Sequence, residues 1–401
     1  MFLYYHSLIY SQILKNLRID YRRETSFMKN IKKGKIIKIP GTKHTLGGEQ
    51  VFVIAEIGKG FIQTKEDRPV EEYLENAKKL IDEATSAGAD AVKFQTHEIE
   101  DELLNVKFDS PHFKGQDRYD WVKRNTLATP AWFWQELKKY ADSKNILFFS
   151  TPMSRLAAKK LLDLDVPLWK VGSGDVEDFV LLDFIARIGK PVIISTGMVS
   201  WGELENVVEF LSHRKVPLCI MYCVSEYPAP ADRFNLSSIQ RLRDWYPDVV
   251  VGFSDHSVGS HELPLAAAKA GARVIEKHFS LSRDLWGSDH KVSLTPSELA
   301  ELTGHLRKKK YEKVDLDKFL GDPKRELPGA ENQFRPYFKK SLVAARDTEE
   351  GEVIGAEDLY AVRPLLFGKG LPSHHLEKVL GRKVKKPLKK YDPINNNSFK
   401  K

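Results

Sequence analysis

The amino-acid sequence predicts an α/β fold, a (β/α)8 TIM barrel followed by a small second domain. Three observations predict it. Eight short apolar runs rich in Val, Ile and Phe alternate with helical periods between residues 50 and 314. Repeated strand–helix units imply parallel strands joined by crossovers, and eight such units fit a closed barrel. No Gly-x-Gly-x-x-Gly fingerprint follows the first run, which counts against the dinucleotide-binding form of the alternative, a doubly wound open sheet.

The elements follow in order. Met1 to Lys15 is aromatic and apolar and Leu17 to Lys29 is basic, the reverse of a signal peptide. Residues 1–49 therefore read as an N-terminal extension and lead-in, with Met28 as the natural start. Strands are predicted at Val51–Ile57, Ala91–Thr96, Leu147–Thr151, Leu168–Gly172, Val192–Thr196, Leu218–Val224, Val249–His256 and Arg273–Phe279. Between them, Tyr73, Ala77, Leu80, Ile81 and Ala84 space as one helix face ending at Gly88. Trp134, Leu137, Tyr140 and Ala141 form another face. Val180–Ile188 stops at Gly189 and Leu263–Ala270 at Gly271, while Leu204–Leu211 follows Trp201-Gly202. Residues 315–334, with Gly321, Pro323, Pro328 and Gly329, read as a linker. Residues 335–394 carry short β-like runs and form the second domain, and 395–401 read as a disordered tail.

Composition excludes several classes. Hydrophobic residues make up 42% and charged residues 29%, ordinary for a globular protein. No apolar run approaches the roughly 20 residues of a membrane span. The net charge of +8 gathers at Lys29–Lys38 and Lys383–Lys390, without a nucleic-acid-binding motif. Solvated lysine faces, or a positive site for an anionic substrate, account for it, so no nucleic-acid or membrane partner is expected. Cys219 and Cys223 share one predicted strand and make no disulfide framework, which points to a reducing, cytoplasmic location.

Strand alternation decides which side chains face inward together. Phe52, Ile54 and Glu56 share a face, as do Ala91, Lys93 and Gln95, and Leu168, Lys170 and Gly172. Ser254 aligns with His256, and Val274 and Glu276 with His278. Barrel enzymes do their chemistry at these strand ends. His256 and His278, at the ends of adjacent strands, could share one metal ion. Each group also has a plainer reading. Lys93 and Glu56 also read as halves of a structural ion pair, and a single strand-end histidine is more often not a ligand. In Lys170-Val171-Gly172-Ser173-Gly174-Asp175 the glycines, serine and lysine are parts of a phosphate cradle, though a tight turn explains them equally well. Thr151 and Ser254 add hydroxyl donors.

The motifs resemble those of the sialic acid (N-acetylneuraminate) synthases. They are Ala55-Glu56-Ile57-Gly58, Val92-Lys93-Phe94-Gln95, Ser150-Thr151-Pro152, Trp169 to Asp175, Ser195-Thr196-Gly197-Met198, Tyr227-Pro228, Gly252 to His256, Glu276 to Phe279 and Gly287-Ser288-Asp289-His290. Lys339 to Ala344 and Val362-Arg363-Pro364 resemble that family's antifreeze-like (SAF) domain. The resemblance implies a barrel that condenses phosphoenolpyruvate with an N-acetylated amino sugar, N-acetylmannosamine or a 6-deoxy diacetamido hexose. It implies that His256 and His278 hold a divalent metal, Mn2+ or else Mg2+, which polarises the sugar aldehyde. Lys93, Thr151, Lys170, Ser173, Ser225 and Ser254 match phosphoenolpyruvate-binding positions. Glu56, Gln95, Asp175, Tyr227 and Asp289 match positions around the sugar or the water, and Glu276 stands in the same motif as His278. Arg363 matches an arginine that enters the partner's site in a domain-swapped homodimer.

The chain departs from the family pattern where Lys59-Gly60-Phe61 replaces an Asn-His pair after Ala-Glu-Ile-Gly. Asp175 stands where glutamate is frequent, Ser225 where some members have asparagine, and Leu365-Leu366-Phe367 interrupts a glycine-rich loop. These changes surround the acceptor sugar or the lid. Two competing readings stay open: a Schiff-base aldolase using Lys93 or Lys170, and a non-catalytic carbohydrate-binding protein.

Overall fold

Eight parallel strands form one sheet in the computed structural model, which describes residues 35–110, 113–258 and 261–400. The order is β1 (Phe52–Gly58), α1 (Val70–Ser86), β2 (Ala91–Thr96), α2 (Arg118–Leu127), α3 (Ala131–Ser143), β3 (Leu147–Pro152), α4 (Arg155–Leu162) and β4 (Trp169–Val171). It continues with α5 (Phe179–Ile188), β5 (Val192–Ser195), α6 (Trp201–His213), β6 (Leu218–Cys223), α7 (Ser237–Trp245), β7 (Val250–Asp255), α8 (Glu262–Ala270), β8 (Val274–His278) and α9 (Pro296–Arg307). Hydrogen-bonded neighbours run β3-β2-β1-β8-β7-β6-β5-β4. β3 and β4 lie side by side without a ladder, so the ring closes with one seam. This is the predicted barrel, not the open sheet.

Alternation explains both layers of the core. Val53, Ala55, Val92, Phe94, Phe148, Phe253 and Ile275 point outward and pack under the helices. Phe52, Ile54, Ala91, Phe149, Leu168, Ile193, Met221, Val250 and Val274 point inward and fill the lower barrel. Further along the same inward series the side chains become polar, and the chemistry begins there. Gly252 is required by this packing, since a Cβ there would lie 2.8 Å from the Val274 carbonyl oxygen. Gly271 ends α8 in the left-handed region at φ 113°, where a side chain would be strained.

Part of the expected lead-in is structural. Ile36–Lys38 pairs antiparallel with Thr45–Gly47, and Ile37, Ile39 and Leu46 join the inner core to close the bottom of the barrel. The expected extension before Lys35, with its start at Met28, lies outside the described residues.

Residues 315–334 track the barrel instead of crossing space. Leu236 N donates to Phe319 O (2.9 Å), Trp201 N to Glu326 Oε1 (2.8 Å) and Asn332 Nδ2 to Ser225 O (2.9 Å). The chain then enters α10 (Arg335–Phe338), β9 (Ser341–Ala344), β10 (Leu359–Val362) and α11 (Leu365–Gly368). β9 and β10 pair antiparallel, and isolated bridges such as Val384↔Phe399 complete the small domain. Phe399 is buried, so the expected disordered tail is corrected: the chain through Lys400 belongs to this domain. The domain sits on the barrel mouth, where Arg363 N donates to Glu102 O (2.9 Å) and Phe179 N to Ser373 Oγ (3.0 Å).

Candidate active site

A cavity of about 1240 Å3, counted out to its opening, lies between the strand ends and the small domain, and every site residue singled out from the sequence lines it. At its floor, Lys93 Nζ lies 2.7 Å from Glu56 Oε2, 3.6 Å from Glu276 Oε2 and 3.1 Å from Thr151 Oγ1. Parallel register puts these groups side by side, since Glu56 pairs with both Lys93 and His278 across its two neighbouring strands. The plain reading of Lys93 and Glu56 is thus realised as an ion pair, but one set inside a cavity.

The two carboxylates are not equivalent. Burial raises the Glu56 pKa to about 7, with Lys93 opposing and Glu276 adding to the rise. Burial would raise Glu276 as well, but Lys93, Lys170 and the Ser254 hydroxyl outweigh it and hold it near 2. Ser254 Oγ donates to Glu276 Oε1 at 3.0 Å, and Gln95 Nε2 to Glu56 Oε1 at 2.9 Å. Two carboxylates whose environments separate their pKa values can divide the roles of proton carrier and fixed charge.

Lys170 has no carboxylate within salt-bridge distance among the described residues. Its ammonium donates to Ser195 Oγ (2.7 Å) and to the Val171 carbonyl (3.1 Å), and it is 2% exposed. A buried cation without a counterion calls for an anionic ligand. Ser173 Oγ accepts from Gly197 N (3.1 Å), and Cys223 Sγ lies 3.7 Å from both Ser173 Oγ and Ser225 Oγ.

The His256 and His278 ring centroids lie 5.3 Å apart, with the Tyr227 ring 4.2 Å from His256. His256 Nδ1 donates to the Val224 carbonyl at 2.8 Å, which fixes the tautomer and leaves Nε2 as a free donor atom. His278 Nδ1 is buried with no hydrogen-bond partner among the described residues, and burial, then His256, keep this ring neutral. His256 is pulled the other way: burial lowers its pKa, but Cys223 and the Val224 carbonyl outweigh burial and raise it. A divalent metal that displaces the remaining proton would find an open nitrogen on each ring, and the pair fits such an ion. A separate three-ligand grouping, His261, Glu301 and His305, lies at α8 and α9, and none of its members lines the cavity.

The lid end is built from residues far apart in sequence. Asp175 accepts from Arg363 Nη2 and pairs with Lys340 Nζ at 2.8 Å, while Lys340 also pairs with Asp178 at 2.8 Å. Arg363 is 1% exposed and reaches the mouth of its own barrel. Within the single chain this arginine meets the barrel that precedes it in sequence, the same contact that an exchange of small domains between two copies would make. Asp289 lines the same end.

Among the lining residues to which sequence reasoning gave no role are Lys59, His97 and Arg118. His97 Nδ1 meets Glu102 Oε2 at 2.6 Å. Burial lowers the His97 pKa to about 4, so a neutral ring donates to the carboxylate and its buried Nε2 keeps a bare lone pair. Its place directly after β2 was a usable signal, the same one that marked Glu56. Lys59 is noted from sequence only as a departure from a family pattern, and Arg118 follows an aperiodic stretch that carries no signal.

Fold and site together define the class: a barrel synthase of the transferase type, with a small β domain over its mouth. Residues 80–316 match the NeuB family and residues 339–400 the SAF domain, and the chain belongs to the NeuB family. It is 31% identical to the human N-acetylneuraminate-9-phosphate synthase, over 87% of this chain and 93% of that one. It is 33% identical to the N,N'-diacetyllegionaminic acid synthase of Campylobacter jejuni, over 80% and 94%. The crystal structure of the spore coat polysaccharide biosynthesis protein SpsE of Bacillus subtilis superimposes with a TM-score of 0.72 at 28% identity, covering 91% of this chain and 99% of that one. Among the described residues, no helix is long and apolar enough to cross a membrane.

Proposed function

We propose that the protein condenses phosphoenolpyruvate with the open-chain aldehyde of an N-acetylated amino sugar, giving a 2-keto sugar acid and inorganic phosphate. The observation that carries this reading is Lys170, a buried cation without a carboxylate partner beside the Lys93, Glu56 and Glu276 cluster. Lys170, Ser173 and Ser225 receive the phosphate and carboxylate of phosphoenolpyruvate. Its carbon 3 bonds to the aldehyde carbon, and the aldehyde oxygen takes a proton. Water adds at carbon 2, and the tetrahedral centre then expels phosphate by cleavage of the carbon 2–oxygen bond.

Glu56, poised near 7, carries the proton of the attacking water, while Glu276 stays ionised and holds Lys93 in place. A divalent cation held by His256 and His278 would supply Lewis acidity toward the aldehyde oxygen, and imidazole donors suit manganese better than magnesium. Gln95, Tyr227, Asp175, Asp289 and Arg363 surround the acceptor, whose candidates are N-acetylmannosamine and 6-deoxy diacetamido hexoses. Two copies that exchange their small domains would keep the same Arg363–Asp175 contact, so a domain-swapped homodimer is part of this proposal.

The test is phosphate release from phosphoenolpyruvate with Mn2+ and a panel of N-acetylated hexosamines, with products weighed by mass spectrometry. The expected product is the acceptor plus a three-carbon keto acid unit. Absence of phosphate release with every acceptor sinks the reading. Burial depresses the Lys170 pKa, which also suits a Schiff-base lysine. Borohydride trapping of a keto acid adduct on Lys170 would favour that second reading.

A further inference from the structure

We propose that Arg118 reads an anionic group, a phosphate monoester or a carboxylate, on the acceptor at the end remote from its aldehyde. This rests on the reading above and names a property of the acceptor that family membership leaves open: it favours an N-acetylated hexosamine charged at carbon 6 over the neutral N-acetylmannosamine and 6-deoxy candidates. The named relatives include a synthase of a 9-phosphate product and one whose product name carries no phosphate.

The argument starts from a charge without a counterion. Arg118 is 8% exposed and lines the cavity. Its guanidinium makes no hydrogen bond or ion pair with any described residue. It is held instead between aromatic faces, 4.7 Å from the Trp121 centroid and 5.4 Å from that of Phe338. Such stacking fixes the plane of the fork and leaves its edge for a ligand. Burial without a partner is costly for a charge, and burial is the first cause that pulls this arginine down to about 10. Two other cations of the cavity differ. Lys93 is paired with two carboxylates and Arg363 with Asp175.

Phosphoenolpyruvate does not satisfy Arg118 on this geometry. Arg118 and Arg363 lie over the same Phe338 ring, 5.4 and 5.2 Å from its centroid, at the lid end. Lys170 lies on the floor, donating to Ser195 Oγ and the Val171 carbonyl at the ends of barrel strands. Among the described residues, the cavity thus holds a cation without an ion-pair partner at each end. One substrate brings its anions to the floor, and the acceptor must bring the other. Lys59 also lines this cavity, and its buried Nζ has no hydrogen-bond partner among the described residues.

The test compares an N-acetylated hexosamine with its 6-phosphate and with its uronic acid form. In the wild type, kcat/KM for the preferred anionic acceptor should exceed that of the neutral sugar by about 10- to 100-fold, the span of a bidentate charge-assisted contact. Arg118→Met should collapse that ratio to near one by raising KM for the anionic acceptor, and Arg118→Lys should fall between. The phosphate and carboxylate arms identify the anion. Calorimetry of the 6-phosphate and the uronic acid on the Mn2+-loaded enzyme separates this inference from the reaction assignment. Weaker anion binding by Arg118→Met supports the inference even if no acceptor releases phosphate. A wild type that prefers the neutral sugar, or equal losses for both kinds of acceptor in Arg118→Met, overturns it.

Discussion

The floor of the cavity and its lid end are both charged, but they are made differently. On the floor, Glu56, Lys93, Lys170 and Glu276 sit at successive inward positions of β1, β2, β4 and β8. Ladder register fixes them, and each is a step along a strand from apolar core. At the lid end, Arg118 opens a helix directly after a short strand outside the barrel, Phe113–Asp117, and Asp175 meets Lys340 and Arg363 from another domain. The rigid end suits steps shared by every acceptor. The assembled end can change with the substrate while the barrel stays intact.

The largest expected effect comes from breaking the floor. Lys93→Met removes the cation between two buried carboxylates and leaves one of them to take up a proton. Turnover should fall by about 1000-fold, the scale of losing a preorganised charge in a dry site. Far-UV circular dichroism should show the barrel retained. Phosphate release within tenfold of wild type would mean that Lys93 serves the fold alone.

The next effect tests how the lid is supplied. Arg363→Ala and His256→Ala should each be nearly inactive alone. If the small domains are exchanged in a dimer, co-expressed variants form mixed dimers in which one site of two is intact. A random mixture then regains about a quarter of wild-type activity. If Arg363 serves its own barrel in solution, as in the single chain, every site keeps one defect and nothing is regained. Sedimentation of the wild type reads the oligomeric state independently.

The two ends also differ in how legible they were. Period-two alternation placed Glu56, Lys93, Lys170, Glu276 and His278 on one side of the sheet before any coordinates, and the barrel followed from the same runs. The strand bounds agree to within a residue or two, because apolar runs and turn residues both mark them. Nothing local connects Asp175 with Lys340 and Arg363, since their contact exists only once the small domain is docked. The hairpin at Ile36–Lys38 and Thr45–Gly47 was too short to register as a periodic element, although Ile37 and Leu46 close the barrel. Phe399 was read as tail because its partner Val384 is also outside any regular run.

The smallest expected effect concerns Lys59, which follows strand β1 and lines the cavity, and is read as stability. Its side chain is 7% exposed, its ammonium lies 5.8 Å from the Phe61 ring and 5.9 Å from that of Trp134, and burial lowers its pKa from 10.5 to about 7. The sign follows from linkage. Below pH 7 the lysine is charged folded and unfolded, so the cost of burying that charge is fully present. Between pH 7 and 10.5 the folded protein has shed the proton and the unfolded chain has not, so the cost shrinks as pH rises. Lys59→Met keeps most of the volume and removes the charge. At pH 6 it should stabilise the protein by about 2 kcal/mol, after allowance for the lost contacts with the two rings. The gain should fade toward pH 10.5, as read by denaturant midpoints across that range. A gain that is independent of pH would place the effect in packing and not in charge. A loss at pH 6 would show that the ammonium has a counterion in solution, as Lys93 has on the floor.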